Sequence, residues 1–155
     1  MIPENIVEFL HGSPLVSVGT RDEVLRPAHT WVSGILVDAD RVRVTCFVQE
    51  EAEVRIRPHL EGNGRIALDA SDPTHETYQL KGRYLDRRPA DGKDRAVQDL
   101  HRSKIIAQML RCGYPEPVAR VLVLGFRHLP AVAITFRVEE IYLQTPGPNA
   151  GTRLG

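Results

Sequence analysis

The chain has 155 residues, 42% of them hydrophobic, which is enough to furnish the core of one domain without disulfides or a structural metal. Lysine plus arginine and aspartate plus glutamate both total 20, so no overall field draws the chain to nucleic acid or to an anionic membrane. Its only cysteines, Cys46 and Cys112, belong to no CxxC or Cys/His cluster, no apolar run approaches the roughly 18 residues of a membrane span, and Glu4 and Glu8 stand where a signal peptide carries positive charge. A reducing, cytoplasmic setting fits these features.

In chain order, Pro3 to His11 places Ile6, Phe9 and Leu10 on one side at helical spacing, and Gly12 and Pro14 end the segment. Leu15 to Thr20 and Leu25 to Val37 read as two antiparallel strands around a turn at Asp22. From Arg41 to Val48 the alternation is clean, with Val42, Val44, Cys46 and Val48 on one face and Arg43, Thr45 and Phe47 on the other. Glu50 to Glu61 is rich in helix formers, although Pro58 is expected to break or kink its middle.

Gly62-Asn63-Gly64 stops that helix, and Ile66 to Ala70 and Thr77 to Leu85 follow as strands separated by the Ser71-Asp72-Pro73 turn. Asp91 to Leu110 turns helical, and Pro115 to Leu124 forms a second helix ending at Gly125, which together imply a helical hairpin. Pro130 to Leu143 alternates through Val132, Ile134, Phe136 and Val138 as a closing strand. The predicted architecture is a mainly β single domain over 1–145, a six-stranded antiparallel barrel with helical plugs, followed by a Pro/Gly-rich tail over 146–155.

The usual dinucleotide, nucleotide, hydrolase and zinc-protease motifs are absent from the sequence. The six histidines, at 11, 29, 59, 75, 101 and 128, are too scattered to suggest a metal site. The positive charge is almost all arginine, 17 against three lysines. Arg43 and Thr45 on the polar face of one strand, with Arg55 and Arg57 in the next helix, combine a hydroxyl with guanidinium forks of the kind a phosphate needs. The same spacing also fits a solvated basic face paired with Glu50, Glu51 and Glu53.

In its order of segments, "PLVSVGTRD", "VRVTCFV", "HLEGNGRIALDASDP", "ETYQLKGRY" and the tail "LQTPGPNAGTRLG", the chain resembles the pyridoxamine 5'-phosphate oxidase-related FMN-binding split-barrel proteins. That resemblance implies a split β-barrel, built as a homodimer with FMN in clefts between the subunits. It implies that Thr45 and Arg55, with Arg57 as the alternative, meet the flavin phosphate, and that Thr77 and Gln79 lie near the isoalloxazine edge. In the second strand the chain departs from the oxidases of the family, placing His29 and Gly34 where they carry Arg and Lys. Trp31, next to the His29 position, is expected beside the cofactor cleft or the subunit interface.

Two functions follow as expectations. One is an FMN-dependent oxidoreductase acting on a small molecule, with the cofactor supplying the chemistry. The other is a binding or sensing module that keeps the barrel with heme, a deazaflavin or no cofactor.

Overall fold

A computed structural model of the chain describes residues 1–124 and 130–154. The expected helix end at Gly125, and His128, lie outside the described residues. Helix α1 (Glu4–His11) leads into strands β1 (Leu15–Arg21), β2 (Pro27–Trp31), β3 (Gly34–Val37) and β4 (Arg43–Gln49). Helix α2 (Glu50–Gly62), strands β5 (Arg65–Ser71) and β6 (Thr77–Pro89), helices α3 (Gly92–Arg111) and α4 (Glu116–Val123) and strand β7 (Ala131–Leu143) complete the fold. Among the described residues no helix is long and apolar enough to cross a membrane.

All strand pairs are antiparallel, in the order β2-β1-β5-β6-β7-β4-β3. The first and last members of that order are consecutive in the chain. The segment expected as one strand over Leu25 to Val37 is split at Val32–Ser33, which accounts for seven strands where the sequence suggested six. Val32 donates its backbone N–H to Val16 at 3.0 Å and Ser33 donates to Phe47 at 2.7 Å, so one residue faces each edge of the sheet and the barrel closes through the break. The Ser33 hydroxyl has one proton to give, with the Gln98 side-chain oxygen at 2.8 Å and the Phe47 carbonyl at 3.1 Å as its acceptors, which fastens the break to α3.

Period-two alternation fills the interior with Val16, Val18, Val44, Cys46, Val48, Leu68, Leu80, Ile134 and Phe136, all of them buried. Ile6 and Leu10 of α1, and Ile56 and Leu60 of α2, join the same core, so the helices plug the barrel as expected. Burial pushes the Cys46 thiol up to about 12, so this cysteine is an inert core residue. Helix α2 is continuous through Pro58, where a break or kink was expected. The bond lost at the proline frees the carbonyl of Val54, which lies on the exposed side of the helix, while Ile56 and Leu60 anchor both halves.

Two irregularities re-aim side chains on the long strands. At Lys81/Gly82 the partner strand carries an extra residue, Glu139, and between Tyr84 and Asp86 the extra residue is Leu85. A Cβ on Gly82 would stand 1.9 Å from the Arg137 carbonyl oxygen, so only glycine permits the first bulge.

Helix α3 lies across β3 on the outside of the barrel, starts with an Asp91–Asp94 capping box and turns its own Gln98 and His101 into a buried layer. A Cβ on Gly34 would meet Gln98 and Phe47 at 3.2 Å, so any side chain there requires these neighbours to give way by a few tenths of an ångström. Both ring nitrogens of His101 are buried without a hydrogen-bond partner among the described residues. Burial, and then the Lys104 charge, depress its pKa to about 4.

The native imidazole is therefore neutral while the unfolded one takes up a proton below about pH 6.5. Stability attributable to this group is intact above that pH and falls progressively as pH drops toward 4. Urea titrations at pH 7 and pH 4.5 should show wild type losing about 2 to 3 kcal/mol more than His101→Leu over this interval. Equal losses in the two chains would remove His101 from the pH response.

Candidate cofactor site on the outer face of the barrel

The residues singled out in the sequence fall into two groups on the outer surface. The first is carried by β2, β1, β5 and β6. Strand register aligns Trp31, Ser17, Asp69, Gln79 and Tyr142 in one row across the sheet, and His29, Gly19, Ala67, Lys81 and Glu140 in the next. Leu15, Ser71 and Thr77 continue the face on the other side of the first row.

The middle of this face is floored by small residues, Ser17, Gly19 and Ala67, with bulkier groups at both margins. At one margin His29 and Trp31 are exposed and pack edge to face, with ring centroids 5.5 Å apart. At the other, the Lys81 ammonium lies 4.5 Å from the Tyr142 ring centroid, and the Tyr142 hydroxyl donates to Glu140 at 2.6 Å. The Gln79 amide donates to Asp69 at 2.8 Å, and the Thr77 hydroxyl lies 2.8 Å from that of Ser71. A groove of about 370 Å³ opens at one end, over Gly19, Ala67 and Gly82, with Arg21, Arg65 and Lys81 at its sides.

The second group lies on β4 and α2. The Thr45 hydroxyl meets that of Thr135 on β7 at 2.9 Å, a cross-strand pair that presents two hydroxyls side by side. Thr135 was not singled out in the sequence, because its partnership with Thr45 depends on the register of strands 90 residues apart. Arg57 folds back along α2 onto Glu53, with its Nε 3.0 Å from both carboxylate oxygens. That bond, more than any other interaction, holds the guanidinium charged, lifting its pKa above the ordinary arginine value. Glu53 is fully buried and also receives Arg87 at 3.2 Å. Arg55 is exposed and makes no ion pair among the described residues. Of the two arginines expected near a phosphate, one is committed to the protein and the other is available.

These groups do not meet within one chain. Thr45 pairs with Thr135 and Gln79 with Tyr142, seven residues further along β7. At about 3.3 Å per residue the two groups stand roughly 20 Å apart. Among the described residues no three His, Cys, Asp or Glu side chains are placed to hold a metal ion.

No family model and no curated protein matches the chain. Solved structures do. A Clostridium acetobutylicum protein of the pyridoxinephosphate oxidase family, related to general stress protein 26, has 17% identity and a TM-score of 0.55, covering 99% of this chain and 96% of its own. An FMN-binding protein from Syntrophomonas wolfei has 9% identity and a TM-score of 0.51, with coverages of 87% and 80%. An F420 reductase has 15% identity and a TM-score of 0.53, with coverages of 90% and 98%. These likenesses define the fold. The chain is a split β-barrel of the type seen in pyridoxamine 5'-phosphate oxidase-family and other FMN-binding proteins.

The assignment of Arg57 to a structural pair and Arg55 to the surface has a direct test. Glu53→Ala leaves Arg57 and Arg87, each about a third exposed, without their shared partner and should lower the urea midpoint. Arg55→Ala should leave the melting temperature unchanged. An unaltered Glu53→Ala chain would mean that the buried carboxylate is not a structural anchor.

Proposed function

We propose that the protein is an FMN-binding flavoprotein that works as a homodimer and oxidises or reduces a small molecule. The observation that carries this reading is the separation of the two groups. One offers paired hydroxyls on β4 and β7 and an uncommitted arginine on the following helix α2, the elements of a phosphate site, and the other offers a shallow floor bordered by aromatic and amide groups, which suits a flat ring. A second copy of the chain would bring one group from each subunit to the same cofactor. Arg55, with Thr45 and Thr135, would hold the phosphate, and Thr77, Gln79, His29 and Trp31 would border the isoalloxazine.

FMN supplies hydride and electron transfer when bound. The chain's own contribution is to fix the phosphate by charge-assisted bonds and to present one face of the ring to substrate. The charged groove beside Gly19 and the small-residue floor leave room for a planar group, whereas large side chains there would fill it. The F420 reductase fold relative keeps a deazaflavin as the competing cofactor, and the phosphate and ring requirements of the two ligands overlap.

Two measurements test the proposal. Titration with FMN and with riboflavin, which has the ring without the phosphate, should show Arg55→Ala and Thr45→Val weakening FMN while leaving riboflavin nearly unchanged. For Arg55→Ala the loss should be about thirtyfold or more, the lower end of what removing a desolvated charge partner costs. Arg57→Ala, acting through fold stability, should affect both ligands alike. Light scattering at micromolar concentration should return twice the chain mass. A strictly monomeric protein, or equal losses for both ligands in Arg55→Ala, would overturn the reading.

A further inference from the structure

At the edge of the same outer face, where β1 and β2 approach the α3–α4 hairpin, lies a cavity of about 480 Å³. Ile105 and Val123, both buried, lie at its base, and Met109 also lines it. Leu15, Trp31, Tyr114 and Leu122 form the rest of the wall and are 43%, 56%, 49% and 54% exposed. Four large side chains that open to water around a hollow are unusual for a soluble surface, where contiguous apolar patches mark binding sites. The volume lies within the range of small-molecule pockets.

Among the described residues the lining contains no charged group, in contrast to the neighbouring groove with its arginines, lysine and glutamates. A phosphate or carboxylate entering the apolar cavity would lose its water without gaining a counter-charge, at a cost that excludes it. A neutral ring or aliphatic group would instead replace water against six apolar or aromatic walls and one thioether, gaining the burial free energy of both surfaces.

Position ties the cavity to the proposed flavin. Leu15 belongs to the row that continues through Ser71 to Thr77, and Trp31 heads the row that runs through Ser17 and Asp69 to Gln79. Two of the cavity's walls are thus the margin of the face assigned to the ring. A molecule seated there would touch Trp31 and extend toward the ring site.

We propose that this cavity is the substrate subsite and that it takes the uncharged, apolar part of a small organic molecule, so that the enzyme acts on neutral hydrophobic or aromatic compounds and not on phosphorylated ones. This inference rests on the flavin reading above. A second copy of the chain is the alternative occupant. The concave shape favours a small molecule, because a subunit contact through this patch would also need a protruding group to fill the hollow.

The test uses the full chain and the neutral fluorophore N-phenyl-1-naphthylamine. It should bind saturably with enhanced emission and quench Trp31, the single tryptophan. Leu122→Asp and Tyr114→Glu, each at a half-exposed position, should weaken the probe at least tenfold with unchanged melting temperature and unchanged mass by light scattering. Val54→Asp on α2, also half-exposed and not part of the lining, should bind as wild type. Pyridoxal 5'-phosphate should fail to compete.

FMN titration of the same samples separates the two readings. Probe binding without FMN binding in wild type would sink the flavin assignment and with it the substrate role, leaving an apolar ligand site. FMN binding without probe binding would sink the subsite alone. Unchanged probe affinity in both cavity variants, or loss of the probe only together with loss of the dimer, would also overturn it.

Discussion

Everything on the outer surface depends on the interruption at Val32–Ser33. Were both halves of this segment paired with the same neighbour, the sheet would keep two open edges, each presenting unpaired N–H and C=O groups. Here adjacent backbone N–H groups turn to opposite partners, Val16 on one side and Phe47 on the other. The sheet therefore closes with no extra element, and inside and outside become distinct. Inward residues make one core with α1 and α2, and outward residues are released for binding or for packing beneath α3.

Closure also explains the arrangement of the candidate site. Because the residues of interest face outward on different walls of a barrel, they cannot converge as they would in a cleft between domains. Thr45 with Arg55 and Gln79 with Trp31 are displaced along the strands and around the wall, and a cofactor large enough to use both sets needs a surface from elsewhere. Charge is sorted by the same geometry. Glu53, turned inward, requires Arg57 and Arg87 to be tolerated at all, whereas Arg55, two residues before Arg57, has no such obligation.

Much of the fold was legible because burial imposes a period. The Arg41 to Val48 alternation survives as β4, with Val44, Cys46 and Val48 inward and Thr45 outward. The helices at both ends of the barrel were visible from their apolar spacing. What the sequence could not carry was pairing between distant strands. Nothing in Leu25 to Val37 announces that its two halves serve opposite edges, since Val32 and Ser33 are ordinary strand residues and their roles come from Val16 and Phe47. Pro58 misled because a local propensity was outweighed by two core anchors.

For the site the limit was similar. Arg55 and Arg57 are chemically identical in sequence, and only the burial of Glu53 separates them. Thr135 became visible only through its register with Thr45. The apolar hollow beside Trp31 draws on β1, β2, α3 and α4, so no local stretch contains its pattern. Gly34, by contrast, was noticed as a departure from a related family, and the structure shows it tightly packed between Gln98 of α3 and Phe47.

The single extra residue at Glu139 divides β7 into halves of opposite parity. Before it, Val132, Ile134, Phe136 and Val138 face the core, and after it Ile141 and Leu143 do, so the inward positions change from even to odd. A hydrophilic substitution profile along this strand cannot follow one alternating rule, because tolerance must invert across Glu139. An insertion or deletion on either side of the bulge would exchange inward for outward positions in that half alone, taking Phe136 out of the core upstream or Ile141 out of it downstream.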